Sequence, residues 1–355
     1  MPETYAQQRT RELKLQTRKV LQELPGVCFD FISAIDSTTQ PLTRYAYVCD
    51  LRLFFGFLTA ELPKFADKQI TDFDADDLAR VTSRDIYMYL DYLNLYVKDE
   101  VEITNADLGK MRKLASLRSF YKFLYKNDYI DADPAALVDM PKRHQKPIIR
   151  LEIDEMARML DYVETGEKLS DRQKKYNEHT RARDLAILTL FLGTGIRVSE
   201  LVGINIDDID FSINGFLVTR KGGSQAILYF PEEVSKVLQD YLKIRREMAP
   251  LPGHEDALFL SLQNKRITVR AVQKMVKKYA GQAAPLKKHL SPHKLRSTFG
   301  TNLYHETGDI YLVADVLGHS DVNTTRRHYA AMSDDRRRYA ANAVHLREDK
   351  PEPES

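Results

Sequence analysis

Residues Pro292–Tyr329 read PHKLRSTFGTNLYHETGDIYLVADVLGHSDVNTTRRHY. Ser291 before Pro292 is a helix start: a capping residue, then proline at the first helical position. Gly308 is the matching C-terminal cap, so the segment predicts a helix opening at 292. His293 and Arg296 then lie three apart, one turn along a shared face. Asp309–Leu317 predicts a second short helix closed by Gly318, which delivers His319 directly after the turn. The stretch ends on Thr324-Thr325-Arg-Arg-His-Tyr329.

Far upstream, Gly193-Thr-Gly-Ile-Arg197-Val-Ser-Glu200-Leu follows a buried helix expected over Asp184–Leu192. Two arginines, two histidines and a tyrosine without a matching carboxylate cluster point to chemistry on a phosphodiester. Attack on phosphorus gathers negative charge on the non-bridging oxygens, and a planar guanidinium holds two such oxygens where an ammonium cannot. Arginines and an imidazole can stabilise that charge without a metal. A tyrosine hydroxyl can attack phosphorus and keep the bond energy in a covalent ester. Metal-dependent nucleases instead need carboxylates around magnesium, and no Asp or Glu occurs from Ala257 through His305.

That same span holds ten Lys or Arg: Lys265, Arg266, Arg270, Lys274, Lys277, Lys278, Lys287, Lys288, Lys294 and Arg296. The whole chain carries a net charge of only +2, so the positive charge is concentrated. A basic block without acids is the footprint of a polyanion partner; the plainer alternative is a solvated helix face. At 355 residues two domains are expected. No run approaches the roughly 18 apolar residues of a membrane helix, and the polar N-terminus lacks a signal-peptide core. Cys28 and Cys49 are too few for a disulfide framework. The expected location is therefore cytoplasmic.

Residues 1–140 read as helical. Apolar positions recur at helical spacing over Thr43–Leu58, Thr82–Leu95 and Leu108–Lys126. The last of these also carries Lys110, Arg112, Lys113, Arg118, Lys122 and Lys126, as solvated lysines of a bundle helix or as a helix across a DNA groove. Residues 141–150 read as a linker, because prolines at 141 and 147 bracket Lys142, Arg143 and Lys146. The second half is mixed α/β. It has a helix over Leu151–Val163, a highly charged loop or helix extension over Thr165–Arg183, and strands Gly215–Arg220 and Gln225–Phe230 joined by Lys221-Gly222-Gly223-Ser224. Helices follow over Pro231–Met248 and Thr268–Ala280. His289 and His293 suggest zinc by spacing, but Pro292 intervenes and no third ligand is evident.

Five pieces in this order resemble the tyrosine recombinase (phage integrase) family, and within it the Xer type: GTGIRVSEL at 193–201, RKGGSQ at 220–225, HKLRSTFGT at 293–301, LGHSDVNTT from Leu317 to Thr325, and Tyr329. The resemblance implies a mostly α fold with a small β-sheet, closed as a C-shaped clamp around DNA. A helical, SAM-like core-binding domain would cover 1–140 and a catalytic domain 151–333. An exchange helix and tail would cover 334–355. It implies that Arg197 and Arg296 clamp the scissile phosphate and that His319 donates a hydrogen bond to it. Lys221 would protonate the departing 5′ oxygen, His293 would assist proton removal from the tyrosine, and Tyr329 would form the 3′-phosphotyrosyl link, with Glu200 in support. DNA contacts are expected from Lys110, Lys113, Arg118, Lys142, Arg143, Lys146, Lys274 and Lys277. No cofactor and no metal is implied.

The implied partners are double-stranded DNA with an inverted-repeat core site, a homotetramer assembled on two duplexes, and a cell-division DNA translocase as activator, at the nucleoid and not at a membrane. One departure stands out. Tyr329 lies ten residues after His319 where the family commonly has nine, so His328 occupies the counted position and a one-residue shift is inferred; Tyr339 is a second candidate. The reaction implied is strand exchange through a Holliday junction, as in resolution of chromosome or plasmid dimers. Alternatives are an integrase of a phage or mobile element, a type IB topoisomerase-like relaxing enzyme, and a catalytically silent DNA-binding protein. Only about 40 residues precede the first convincing core helix, which favours the Xer-like reading over an integrase with an added arm-binding domain.

Overall fold

The computed structural model describes residues 4–98, 100–141, 149–167, 169–220, 223–287 and 289–319, together with Val322 and Thr325. Lys221, Tyr329, Tyr339, Lys142, Arg143, Lys146 and the 334–355 segment lie outside the described residues. The chain forms two compact units, divided between Lys146 and Pro147.

The first unit is helical: α1 (Tyr5–Leu21), α2 (Gly26–Ala34), α3 (Pro41–Glu61), α4 (Ala75–Ala79), α5 (Ser83–Tyr92) and α6 (Asp107–Lys126), with a small antiparallel pair, β1 (Tyr96–Lys98) and β2 (Val101–Ile103), before α6. Helix α3 is the centre. Val48, Leu51, Phe54, Phe55 and Leu58 are fully buried along it and meet Leu114, Leu117, Phe120, Tyr121 and Leu124 of α6 in one core. Phe54 packs edge-on against Tyr89 and Tyr121, the favoured geometry for ring quadrupoles. Arg112 forks onto the buried Asp50 carboxylate at 2.5 and 2.6 Å, and Ser116 donates to it at 2.7 Å, so α3 and α6 are also tied by charge.

The N-terminal 40 residues do not merely precede this core. Thr4 and Gln7 form a reciprocal cap that starts α1. Val20, Leu24, Cys28, Phe31 and Ile32 then enter the same cluster as α3 and α6. Burial pushes the Cys28 thiol far above its usual range, consistent with a small core residue.

The second unit holds α7 (Ile153–Thr165), α8 (Asp171–Thr194), α9 (Val198–Gly203), a three-stranded antiparallel sheet of β3 (Ile209–Asp210), β4 (Gly215–Thr219) and β5 (Gln225–Tyr229), then α10 (Glu232–Glu247), α11 (Val269–Ala283), α12 (Pro292–Thr307) and α13 (Ile310–Leu317). The two expected strands are present, in register Leu217 opposite Ile227, and the short β3 adds an edge beside β4. Helix α8 is the spine, packing against α7, α10 and α12. Its apolar end, Ala186 through Leu188 with Leu190 and Phe191, is buried.

The charged stretch before Asp184 is mostly helical rather than loop. Asn177 donates to Val163 O at 3.1 Å and accepts from the Tyr279 hydroxyl at 2.8 Å, which binds this polar half of α8 to α7 and α11. Burial and the neighbouring Asp184 carboxylate push the Tyr279 hydroxyl well up, so it stays a neutral donor. Among the described residues no helix is long and apolar enough to cross a membrane.

Candidate active site at the α13 turn

The site is built on the end of a short helix. Helix α13 closes with Gly318 in the left-handed conformation, φ +59. The Gly318 amide bonds Asp315 O at 2.8 Å and the His319 amide bonds Ala314 O at 2.9 Å. This is a Schellman closure, and it fixes the backbone of His319. Such an end still presents carbonyl oxygens and the negative pole of the helix dipole. Arginines answer them.

Arg296, buried on α12, donates from one Nη to Gly195 O at 2.6 Å and from the other to Leu317 O. Arg197 donates to Gly318 O at 2.7 Å and to Glu200 Oε1 at 2.7 Å. Glu200, buried, also accepts from the Arg197 amide at 3.0 Å, so its carboxylate takes two donors of Arg197 at the start of α9. Arg220, one residue past β4, donates to Val316 O at 3.3 Å and Asp315 O at 3.5 Å. Three guanidiniums thus converge on four consecutive carbonyls, 315 to 318.

Two glycines make the approach close enough. Gly195 ends α8 at φ +61, and a Cβ there would overlap Phe299 and Leu317. A Cβ on Gly318 would overlap the Arg220 guanidinium. Both positions also need the left-handed backbone that glycine adopts without strain.

His319 Nδ1 lies 2.7 Å from the buried Thr325 hydroxyl, which orients the ring. His293 is exposed on α12, one turn before Arg296. Ser291 takes the cap position in extended backbone, φ −151, without a side-chain cap bond, so Pro292 at the first position carries the helix start. The structure therefore brings Arg197, Glu200, Arg296 and His319 together at one turn, with His293 on the same helix as Arg296. Sequence reasoning noted Arg220 only as the neighbour of Lys221 and gave Thr325 no role. Carbonyl partners leave no sequence signal; an arginine as the last residue before the turn was the one visible hint.

Chemically, fixed guanidiniums around one bonded carboxylate, the only one there among the described residues, favour an anion with several oxygens. Among the described residues no cluster of His, Cys, Asp and Glu could hold a metal ion.

The expected DNA-contacting cations are placed unevenly. Lys113 is buried and bonds Asn105 Oδ1 at 2.9 Å. Lys110 bonds Asn94 Oδ1 at 2.9 Å. Arg118 donates to Ala135 O at 3.2 Å and to Val138 O. Lys274 and Lys277 are exposed on α11.

The model of the phage integrase family matches residues 150–336. The chain is 37% identical over 330 residues to tyrosine recombinase XerC of Caldanaerobacter subterraneus subsp. tengcongensis, covering 90% of this chain and 86% of that protein. It is 32% identical over 318 residues to tyrosine recombinase XerC of Pelobacter propionicus, covering 89% and 93%. In fold it is similar to XerH recombinase in a post-cleavage complex on its difH substrate, with a TM-score of 0.60 at 20% identity, covering 86% of this chain and 80% of that one. It is likewise similar to a lambda integrase dimer bound to a core site, with a TM-score of 0.60 at 15% identity, covering 92% and 98%.

Proposed function

We infer the mechanism of this chain from one premise: it belongs to the phage integrase family and is a tyrosine site-specific recombinase of the Xer type. Its substrate is double-stranded DNA with an inverted-repeat core site. Arg197 and Arg296 hold the non-bridging oxygens of the scissile phosphate, and His319 donates to the same group. Tyr329 attacks phosphorus, with His293 assisting removal of its proton. The P–O5′ bond breaks, and Lys221 protonates the departing 5′ oxygen. The 3′-phosphotyrosyl ester keeps the bond energy, so rejoining needs no nucleotide. Glu200 sets the pose of Arg197.

The observation that supports this reading best is the convergence of Arg197, Arg296 and His319 on the α13 turn, with Glu200 as the carboxylate bonded there. The structures similar in fold are, by their own descriptions, a site-specific recombinase bound to its difH substrate and an integrase dimer bound to a core site. The assembly proposed is a homotetramer on two duplexes, joined by exchange of the 334–355 segment, in the cytoplasm at the nucleoid. A cell-division DNA translocase is the proposed activator, and dimer resolution during chromosome partition the proposed task. Lys142, Arg143, Lys146, Lys274 and Lys277 are proposed to follow the phosphate backbone.

The test is covalent capture on DNA nicked near the cleavage point, in EDTA and without nucleotide. Wild type should form a protein–DNA adduct, and Tyr329→Phe should form none while binding DNA nearly as well. Adducts from Tyr329→Phe would move the nucleophile to Tyr339. Loss of wild-type adduct on chelation, with recovery in magnesium, would refute the metal-free chemistry.

A further inference from the structure

We propose that Arg220 is a positioning residue that ties the end of β4 to the His319 turn and so supports proton delivery by Lys221, the next residue in the chain. Its backbone closes the loop: the Arg220 amide donates to Ser224 O at 2.7 Å and the Gly223 amide donates to Arg220 O at 3.1 Å. Its side chain leaves in another direction, against α13. There it donates to Asp315 O and Val316 O and lies against Gly318, where a Cβ would overlap the guanidinium.

Each of those two carbonyl bonds is long, and either alone would be weak. Together they hold the side chain over the bare Gly318 backbone, since a guanidinium is planar and lies flat where no Cβ intervenes. The same four-residue carbonyl run holds Arg296 and Arg197. Arg220, the residue directly before Lys221 in the chain, is therefore joined to the turn that both clamp arginines bond and that His319 follows. Lysine or glutamine at 220 could donate to one carbonyl but would not cover Gly318 as a plane.

The consequence is specific to one chemical step. Displacing a general acid by about 1 Å can cost on the order of 100-fold, and a general acid contributes about 10²–10⁴-fold. Release of the 5′ oxygen needs a proton as the P–O bond breaks. A 5′ sulfur leaves as a thiolate and needs none. Losing Arg220 should therefore slow cleavage of an ordinary phosphodiester and spare cleavage of a 5′-bridging phosphorothiolate.

This inference depends on the reading of Lys221 as general acid, and the experiment separates the two. Full-length wild type, Lys221→Ala, Arg220→Ala and Arg220→Gln are compared for single-turnover cleavage of nicked DNA carrying either 5′ oxygen or 5′ sulfur at the scissile position. Arg220→Gln retains an N–H donor, so the outcome does not depend on the folding of a single variant. We expect Arg220→Ala to be about 10- to 100-fold slow on oxygen and within about threefold of wild type on sulfur, with Arg220→Gln between them. If Lys221→Ala is rescued by sulfur and both Arg220 variants are not, the positioning role is overturned while the general acid stands. If Lys221→Ala is itself not rescued, the general-acid reading falls and the proposal with it. Arg220 variants that cleave the oxygen substrate at the wild-type rate also overturn it.

Discussion

Helices α6 and α11 both present a row of cations in the sequence, and the fold treats the two rows in opposite ways. On α6, Arg112 forks onto Asp50, Lys113 is buried against Asn105, Lys110 bonds Asn94, and Arg118 staples the carbonyls of Ala135 and Val138. On α11, Arg270, Lys274 and Lys277 stand exposed four and three residues apart, and among the described residues none of their side chains has a partner. A cation already bonded inside the protein must give up that bond before it can meet a phosphate. An exposed one exchanges only water and counterions. Pairing, rather than charge count, separates a structural basic helix from one that can track a polyanion.

The active-site arginines sharpen this contrast, because Arg296 looks at first like Arg118. Each guanidinium joins a helix to carbonyls elsewhere in its own unit, Arg118 to 135 and 138, Arg296 to 195 and 317. The difference is company. Among the described residues, Arg118 has no histidine and no second arginine bonded at its carbonyls, whereas Arg296 shares a turn with Arg197, Arg220 and His319. The largest expected effect follows. Arg118→Lys and Arg296→Lys should cost similar stability, about 1–3 kcal/mol each, as buried carbonyls lose a donor. Only Arg296→Lys should lose cleavage, by about 10²–10³-fold, because a point charge cannot reproduce a two-point hold. Urea melts paired with single-turnover cleavage measure both. Equal catalytic losses would erase the distinction.

An intermediate effect separates the two helices directly. Replacing Arg270, Lys274 and Lys277 together by glutamine should lower the slope of log affinity against log salt by about 0.9 for each phosphate no longer neutralised, so by about 2–3. Replacing Lys110 on α6, already bonded to Asn94, should leave the slope nearly unchanged. Titration of fluorescent duplex DNA at several salt concentrations decides it. A slope carried by α6 instead would invert the comparison.

The sequence made the long helices of both units legible, because α3, α6 and α10 bury one stripe and so repeat near 3.6 residues. Helix α1 was opaque: Leu13, Thr17 and Val20 are its buried residues, a stripe too thin to stand out from the charge around it. Strand β3 has two residues, and β1 and β2 have three each, fewer than an alternation needs to show. At the site, Arg197, Arg296 and His319 could be read because their motifs carry glycine turns and caps. Arg220 could not, since its partners are backbone oxygens of a helix nearly a hundred residues on. The same blindness hid the partners of Lys113 and Arg118: Asn105 and the 135–138 loop meet them only once the chain has folded.

The smallest effect concerns the cost of holding a cation where α6 holds Lys113. Burial pushes its ammonium below the ordinary value of 10.5, with Asp50 pulling it up and Arg112 pushing it further down. The charged form is therefore less favoured in the folded state than in the unfolded one. Below the lowered value the side chain is charged in both states and the burial penalty is felt in full. Above 10.5 it is neutral in both and the penalty is gone. Between the two the unfolded chain binds more protons, so stability from this residue rises with pH. Lys113→Met removes the penalty and fills much the same space, at the loss of one bond to Asn105. At neutral pH the variant should be as stable as wild type or slightly more so, since replacing a buried charge by an apolar side chain is often neutral or stabilising. As pH rises toward 10.5 the wild type should recover its deficit and the difference should shrink. Tyrosine ionisation affects both proteins alike and cancels in the difference. Urea midpoints taken across that range test the sign: a variant that loses ground at neutral pH and regains it in alkali would mean that the ammonium stabilises α6 and that its cation is held at no cost.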